Sequence, residues 1–455
     1  MEGEMQPPAV AADAVSKVLD NDDLLIEILL RVGFPTTLVN AALACKRWLG
    51  HVSDHAFLRR FRKLNPPHLL GFYIKFRPNY LRTIPTSFIP MLPQPPELAS
   101  VVRHASFGLD AYLRLSPEIL DCQNGNVFVR LFDRWTGSWS RGRVHRPLCR
   151  KRGLTFNPPL LYPKLQSNGS CRSIQFLSKE DGDGLSCYYL YVEETISGKP
   201  ESRLHVYMLQ DGVCRKHHLL DQLPPVPYEP KVVLADNKIY VPAGMSDIII
   251  LDLTTLSFST IQPPRGVVHS KVGTTMLARD GDASGVYLIH VEELQLRIWL
   301  HKGDNSWLLI DSICLHEMYA NLKMSGCMVK DEHTIRLMNQ VVDYGDFLFL
   351  EMGGCVLHLD IKCRTLRKVY EITNGCLVDI YPFMMIWPPT FPMLKYDSER
   401  FALFAFKSYV EKCNVKKKDT RVVGRMIKIF VLCGWKDVSF ELVLTAFGEV
   451  SLSEL

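Results

Sequence analysis

Residues 248–258, with the sequence IIILDLTTLSF, are four aliphatic residues followed by a polar stretch and then an aromatic residue. A short apolar run that ends in an aspartate and two threonines is typical of a buried strand followed by a turn. The turn leads the chain into a second strand that begins near Phe258. This stretch therefore predicts a β-hairpin.

The same pattern recurs along the chain. Four short strands end in an apolar residue, and a further apolar residue follows seven or eight positions later. The first residues of these pairs are Tyr207, Leu251, Trp299 and Leu359, and the second are Cys214, Phe258, Trp307 and Leu366. The anchors are 44, 48 and 60 residues apart, which suits repeats of about 40–50 residues with one inserted loop. A weaker copy lies within residues 141–156.

The repeat predicts a β-propeller. One hairpin unit cannot bury both of its faces, so neighbouring units must stack around an axis. We expect the propeller to span residues 71–397 and to contain six or seven blades, although only four copies are visible in this alignment. A pair of β-sandwiches is the competing architecture. Residues 398–455 do not match the repeat and form either a helical appendage or a strand that completes the ring.

The sequence before the repeats predicts helices. Residues 1–17 are interpreted as a flexible leader, and three amphipathic helices are expected within residues 18–66. Asn21 or Asp22 can cap the first helix. The second is expected over residues 38–51 and the third after Ser53 or Asp54. Two prolines end the third helix.

Three helices in fewer than fifty residues are marginally stable by themselves. The 13 cysteines form no Cys-x-x-Cys pair, and we find no metal-binding pattern that would stabilise so small a bundle. The apolar faces of the helices are therefore covered either by the rest of the chain or by another protein.

The helical segment resembles an F-box. The matching features are the LLIEIL run from Leu24 to Leu29, the central Pro35, the CKRW stretch from Cys45 to Trp48, and Asp54 with Phe57. The chain is most similar to plant F-box proteins that carry a β-rich, propeller-type C-terminal domain. Many F-boxes begin with Leu-Pro, whereas here the aligned pair is Asp20 and Asn21.

The resemblance implies a partner and a role. An F-box docks on a Skp-type adaptor of an SCF-type cullin ubiquitin ligase, and the propeller would then hold a target protein without performing bond chemistry. Helix docking uses apolar anchors at this spacing. The residues expected to contact the adaptor are Leu24, Ile28, Leu29, Phe34, Pro35, Leu38, Cys45 and Trp48.

The remaining charged residues suggest only weak alternatives. The net charge is +5, too small to indicate nucleic acid by itself. Residues 141–152 hold six bases and no acid, so Arg146, Arg150 and Arg152 form a candidate anion-binding cluster. A charged loop at a blade edge is the preferred interpretation. The alternative functions are a propeller module that binds a glycan or nucleic acid, and a propeller hydrolase.

No metal, cofactor or membrane segment is expected. The sequence has no nucleotide-binding, zinc-protease or nucleophile-elbow motif, and it has no secretory signal or long apolar run. Scattered cysteines in apolar runs indicate free thiols in a reducing compartment. We therefore expect an intracellular protein of the nucleus or the cytoplasm.

Overall fold

The computed structural model forms two compact units, and the one that carries the β-strands is Leu69–Met385. The residues that the structure describes are 18–33, 35–43, 45–65, 68–76, 86–112, 116–123, 125–133, 138–148, 155–156, 169–181, 184–195, 201–210, 213–223, 232–244, 246–268, 273–279, 285–303, 306–324, 335–338, 347–373 and 375–385. The predicted leader and the predicted C-terminal extension lie outside these ranges.

The N-terminal helical unit contains four described helices from Asp22 onward. They are α1 (Asp22–Leu30), α2 (Pro35–Ala42), α3 (Lys46–Ser53) and α4 (His55–Leu64). Asn21 caps α1 by accepting a hydrogen bond from the backbone N–H of Leu24. Asp54 caps α4 in the same way, through the N–H groups of Ala56 and Phe57. Both caps match the residues that the sequence offers for this purpose.

The single helix expected over residues 38–51 is wrong, because the chain forms two helices there. Cys45 separates α2 from α3 and has an extended backbone, with φ −160° and ψ 162°. Its sulfur accepts a hydrogen bond from the N–H of Trp48 at 3.5 Å, so Cys45 is the N-cap of α3. The helical wheel places residues on both sides of this break on one face, and periodicity alone therefore does not reveal it.

The β unit consists of strands joined mostly by tight turns. The strands are β1 (Leu69–Phe76), β2 (Ser87–Pro90), β3 (Ser116–Gln123), β4 (Asn126–Asp133), β5 (Ser138–His145), β6 (Thr155–Phe156), β7 (Gly169–Asp181), β8 (Gly184–Thr195), β9 (Glu201–Gln210), β10 (Val213–Leu223), β11 (Val233–Ala235), β12 (Lys238–Ala243), β13 (Asp247–Asp252), β14 (Phe258–Ile261), β15 (Thr275–Arg279), β16 (Val286–Glu292), β17 (Gln295–His301), β18 (Leu308–Cys314), β19 (Ile335–Leu337), β20 (Phe347–Met352), β21 (Cys355–Asp360), β22 (Thr365–Glu371) and β23 (Leu377–Met384). Helix α5 (Pro96–His104) precedes β3, and helix α6 (His316–Met324) follows β18.

Across the described residues the strands form six antiparallel sheets, which are the blades of a β-propeller. Blades I to V have four strands each, taken in chain order from β3 to β22. Blade VI combines β23 with β1 and β2. The first strand of blade I contacts both β23 and the first strand of blade II. The two ends of the propeller sequence therefore meet in one sheet and close the ring.

Apolar clusters fill the interfaces between consecutive blades. Three of them join blades II and III, III and IV, and IV and V through their buried aliphatic residues. Blades I and II share a cluster around Phe128, Phe176 and Tyr189, and blades V and VI share one around Phe72 and Phe349. Blades II to V therefore each bury both faces against neighbours, as the stacking argument requires.

The repeat seen in the sequence is confirmed. Tyr207, Leu251, Trp299 and Leu359 all lie in the third strand of their blades. The weaker copy in residues 142–156 coincides with the outer strands of blade I, β5 and β6. The blade count is six, the lower of the two expected values. The alignment of the repeats contains no copy for blade VI, because the strands of this blade come from opposite ends of the domain.

The turn after β13 contains a leucine in a strained conformation. Leu256 has φ +56°, a region that costs a non-glycine residue about 1–2 kcal/mol. Its side chain is 41% exposed, so little packing offsets the backbone strain. We expect Leu256→Asn to stabilise the propeller by about 0.5–1 kcal/mol, because asparagine tolerates this region.

The matched control is Val268→Asn. Val268 is as exposed as Leu256 and is not among the residues with positive φ. Urea unfolding of both variants checks the prediction: a higher midpoint for Leu256→Asn alone supports it, and equal shifts in the two variants contradict it.

Candidate adaptor-binding site

Helix α1 has one buried face and one exposed apolar edge. Leu25, Leu29 and Leu30 are buried in the core of the helical unit. Leu24 and Ile28, by contrast, are 46% and 43% exposed. They are four residues apart and therefore lie one above the other on the helix surface. The pair forms a small apolar ridge that the described part of the chain leaves accessible.

The other residues predicted to contact an adaptor are not all at the surface. Leu29, Leu38 and Cys45 are buried inside the helical unit, where the first two belong to its apolar core. Trp48 is half-buried and packs against the same core. These residues are buried because all four helices contribute a face to one shared core. That core contains more of the apolar residues than the sequence pattern suggested.

The exposure of two predicted positions, Phe34 and Pro35, is not described. Pro35 is the first residue of α2, at the N1 position that proline favours, and its side chain is not described. Phe34 lies outside the described residues. Among the predicted site residues whose side chains are described, the accessible ones are Leu24 and Ile28, with Trp48 partly exposed.

Arg47 is a structural residue that the sequence reasoning missed. Its guanidinium donates to Asp22 Oδ1 at 2.7 Å and to the backbone carbonyls of Leu19 and Asp20 at 2.8 and 2.6 Å. His51 Nε2 lies 2.8 Å from the same Asp22 oxygen. The hydrogen bond from Arg47, followed by that from His51, holds the pKa of Asp22 below its usual value. Arg47 thus fixes the start of α1 against α3.

Further polar contacts fix the remainder of α1. Glu27 accepts a hydrogen bond from Arg60 of α4 at 2.6 Å. Asn65, which follows α4, donates to the carbonyl oxygen of Leu30 at 3.1 Å. These contacts satisfy the end of α1 and join it to α4. Because α1 is held at its start, middle and end, Leu24 and Ile28 are presented on a rigid element.

The candidate anion cluster is only partly described. Arg146 follows β5, and its Nε donates to Asn126 Oδ1 at 2.9 Å. Arg150 and Arg152 lie outside the described residues. The Asn126 contact gives Arg146 a structural role at the edge of blade I.

Metal sites and membrane-spanning helices were also sought among the described side chains. Among them, no group of three or more His, Cys, Asp or Glu residues is placed to hold a metal ion. Within the same ranges, no helix combines the length and the apolar character that a bilayer crossing needs.

The architecture defines a class of protein: a six-bladed β-propeller that follows a small unit of helices. Comparison with known families makes the assignment specific. The chain belongs to the family described as F-box protein AT5G49610-like, beta-propeller, whose model matches residues 118–391, more than half of the chain. Among curated proteins, none is significantly similar to it in sequence.

Three solved structures show a weak likeness to this chain. One is a family 117 glycoside hydrolase from Zobellia galactanivorans, with 12% identity and a TM-score of 0.29, covering 46% of this chain and 73% of its own. A Lactobacillus plantarum protein has 11% identity and a TM-score of 0.32, covering 68% and 99%. TolB from Acinetobacter baumannii has 10% identity and a TM-score of 0.25, covering 56% and 68%.

Proposed function

We propose that the protein is the substrate-recognition subunit of an SCF-type cullin ubiquitin ligase. In this role the helical unit binds the Skp-type adaptor and the propeller binds a target protein. Membership of the F-box propeller family supports the general role. The observation that carries the adaptor assignment is the exposed pair Leu24 and Ile28 on a helix whose other leucines are internal.

The exposed pair is suited to a groove on a partner. Complete burial of a leucine or isoleucine side chain contributes roughly 1.5–3 kcal/mol, and two such residues one turn apart are a common anchor for helix-in-groove binding. The contacts of Arg47 and Asn65 hold α1 before the partner arrives. Little ordering is then required on binding, which favours affinity.

The proposed contribution to catalysis is proximity. The propeller would hold the target while the adaptor links it to the ligase, which raises the effective concentration of the target near the conjugating enzyme. No side chain of this chain needs to take part in bond formation. Buried free thiols such as Cys45 and Cys122 suit a reducing compartment, the cytoplasm or the nucleus.

Co-purification with a Skp-type adaptor tests the proposal. We expect Leu24→Asp and Ile28→Asp each to lower adaptor recovery roughly tenfold or more, because the apolar contact is lost and a carboxylate must be buried. Leu29→Asp is unsuitable, since Leu29 lies in the core of the unit and its replacement would disrupt folding.

The control is Met324→Asp at the end of α6, a highly exposed apolar residue of the β unit. This variant should recover the adaptor like the original chain. Undiminished recovery with both Leu24→Asp and Ile28→Asp would refute the docking assignment, provided that far-UV circular dichroism shows both variants folded.

A further inference from the structure

The outermost strand of blade IV exposes three successive apolar side chains. Leu308, Leu309 and Ile310 of β18 are 65%, 51% and 46% exposed, and Phe258, the first residue of the outermost strand of blade III, is 57% exposed. Single apolar residues on a surface are ordinary, but three in succession on a sheet edge are unusual. These four residues are called the rim patch.

A hydrogen bond joins the segments that flank the two edge strands of the rim patch. Trp307, which precedes β18, donates a hydrogen bond from Nε1 to the carbonyl oxygen of Gln262 at 2.8 Å. Gln262 directly follows β14. The end of β14 therefore lies beside the beginning of β18, and Phe258 lies at the opposite end of β14 on the same outer rim.

The rim patch lacks the charges that protect other edges of the same propeller. The outermost strand of blade II carries exposed Arg215 and Lys216, and that of blade V carries Arg367, Lys368 and Glu371. Strand β14 has no charged residue, and β18 has only Asp311. Both carboxylate oxygens of Asp311 accept hydrogen bonds from Arg364, at 2.7 and 2.8 Å. Charged side chains normally discourage association at sheet edges. At this part of the rim, therefore, charge does not oppose association with another chain.

The strand geometry favours side-chain contacts over extension of the sheet. The pairing of β17 with β18 shifts between Ile298 and Trp299, which leaves Ile310 as the extra residue of a β-bulge. Bulges bend an edge strand and interrupt regular pairing. Pairing of β18 with the same strand of a second copy is therefore disfavoured, whereas a flexible segment can follow the bend.

We propose that the rim patch binds an uncharged, apolar segment of the target protein. The proposal rests on the receptor role proposed above and assigns a chemical class to the target segment. A charged side chain placed against β14 or β18 would lose hydration and meet no unpaired charge on either strand, because Arg364 already neutralises Asp311. Apolar side chains of the segment, in contrast, remove the patch from water.

Peptide binding to the full-length chain tests the assignment. The probe is a fluorescein-labelled synthetic peptide of alternating leucine and serine, measured by fluorescence anisotropy beside versions with glutamate or lysine in place of serine. We expect only the uncharged peptide to bind well. Leu309→Asp and Ile310→Asp should each weaken its binding about tenfold. Arg367→Asp, on the charged edge of blade V, should leave it unchanged.

Several results would overturn the assignment. They are equal binding by the two patch variants, equal binding of the charged peptides, or no binding of any of these peptides. Concentration-dependent dimerisation in sedimentation experiments that Leu309→Asp abolishes would show that a second copy occupies the patch. Adaptor recovery separates this proposal from the receptor role: the patch variants should retain the adaptor, and Ile28→Asp should retain the peptide.

Discussion

Replacement of Glu118 by alanine is expected to destabilise the propeller by about 2 kcal/mol, within the range for the loss of hydrogen bonds to charged groups in a partly buried site. Glu118 lies in β3 of blade I. It accepts a hydrogen bond from Lys75 of blade VI at 2.8 Å and two from Arg130 of blade I, at 3.2 and 2.5 Å. The carboxylate therefore bridges the two blades that close the ring.

The size of the effect follows from what the substitution leaves behind. Arg130 is buried, and the substitution removes the carboxylate that accepts two of its hydrogen bonds. Burial by itself would raise the pKa of Glu118, but Lys75 and Arg130 together lower it. This contribution to stability is thus present above the unfolded-state pKa and is lost as the pH falls through the lower folded-state pKa.

Urea-induced unfolding at neutral pH measures the change in stability. The control is Glu371→Ala, which removes a surface partner of Lys368 in blade V and should change the midpoint little. The double variant Glu118→Leu with Arg130→Met should recover part of the loss, because it removes the buried Arg130 charge together with the carboxylate, while the remaining Lys75 is partly exposed to water. Equal stability of Glu118→Ala and the original chain would show that this ion pair does not help to close the ring.

The blades that repeat within the sequence could be predicted, and the closure could not. Leu251 and Leu359 occupy equivalent third strands. The same hairpin pattern occurs around both residues, so an alignment of the sequence with itself can find it. Strands β1 and β23 pair over a separation of about 300 residues, and neither resembles the repeat closely. Long-range pairing depends on tertiary packing, which a local pattern does not contain.

The helical unit shows the same division between local and distant information. The caps Asn21 and Asp54 act on neighbours within three residues, so the sequence could identify them. The role of Arg47 depends on chain segments more than twenty residues away. Which leucines are internal also depends on how four helices meet, and for that reason Leu29 and Leu38 were expected at a surface and lie in a core.

Acidification is expected to destabilise the propeller through His358, by about 2 kcal/mol between neutral pH and pH 5. His358 is a buried residue of β21 in blade V, packed against the rings of Phe347 and Phe349. Burial, and then the neighbouring charge of Arg367, lowers its pKa to about 4. Its Nδ1 atom has no hydrogen-bond partner within the described residues, and the nearby Asp360 and a backbone hydrogen bond offset the cost of a proton on the ring only in part.

The sign of the effect follows from proton binding. An unfolded chain binds a proton at this histidine with a pKa near 6.5, whereas the folded protein binds it only near 4. Between these values the unfolded state holds more protons, and stability falls as the pH decreases. The contribution is fully present above pH 6.5 and is lost progressively toward pH 4.

His358→Phe removes the titrating group and keeps an aromatic ring between Phe347 and Phe349. Urea unfolding at neutral pH and at pH 5 should show a smaller loss of stability for this variant, by about 2 kcal/mol. Leu348→Val is the packing control, because Leu348 is a buried neighbour on β20 that does not titrate; it should lower stability equally at both pH values. An identical pH dependence in the original chain and His358→Phe would contradict the assignment. If His358→Phe is as stable as the original chain at neutral pH, the large side chain at this position contributes through aromatic packing in blade V and not through a hydrogen bond of the imidazole ring.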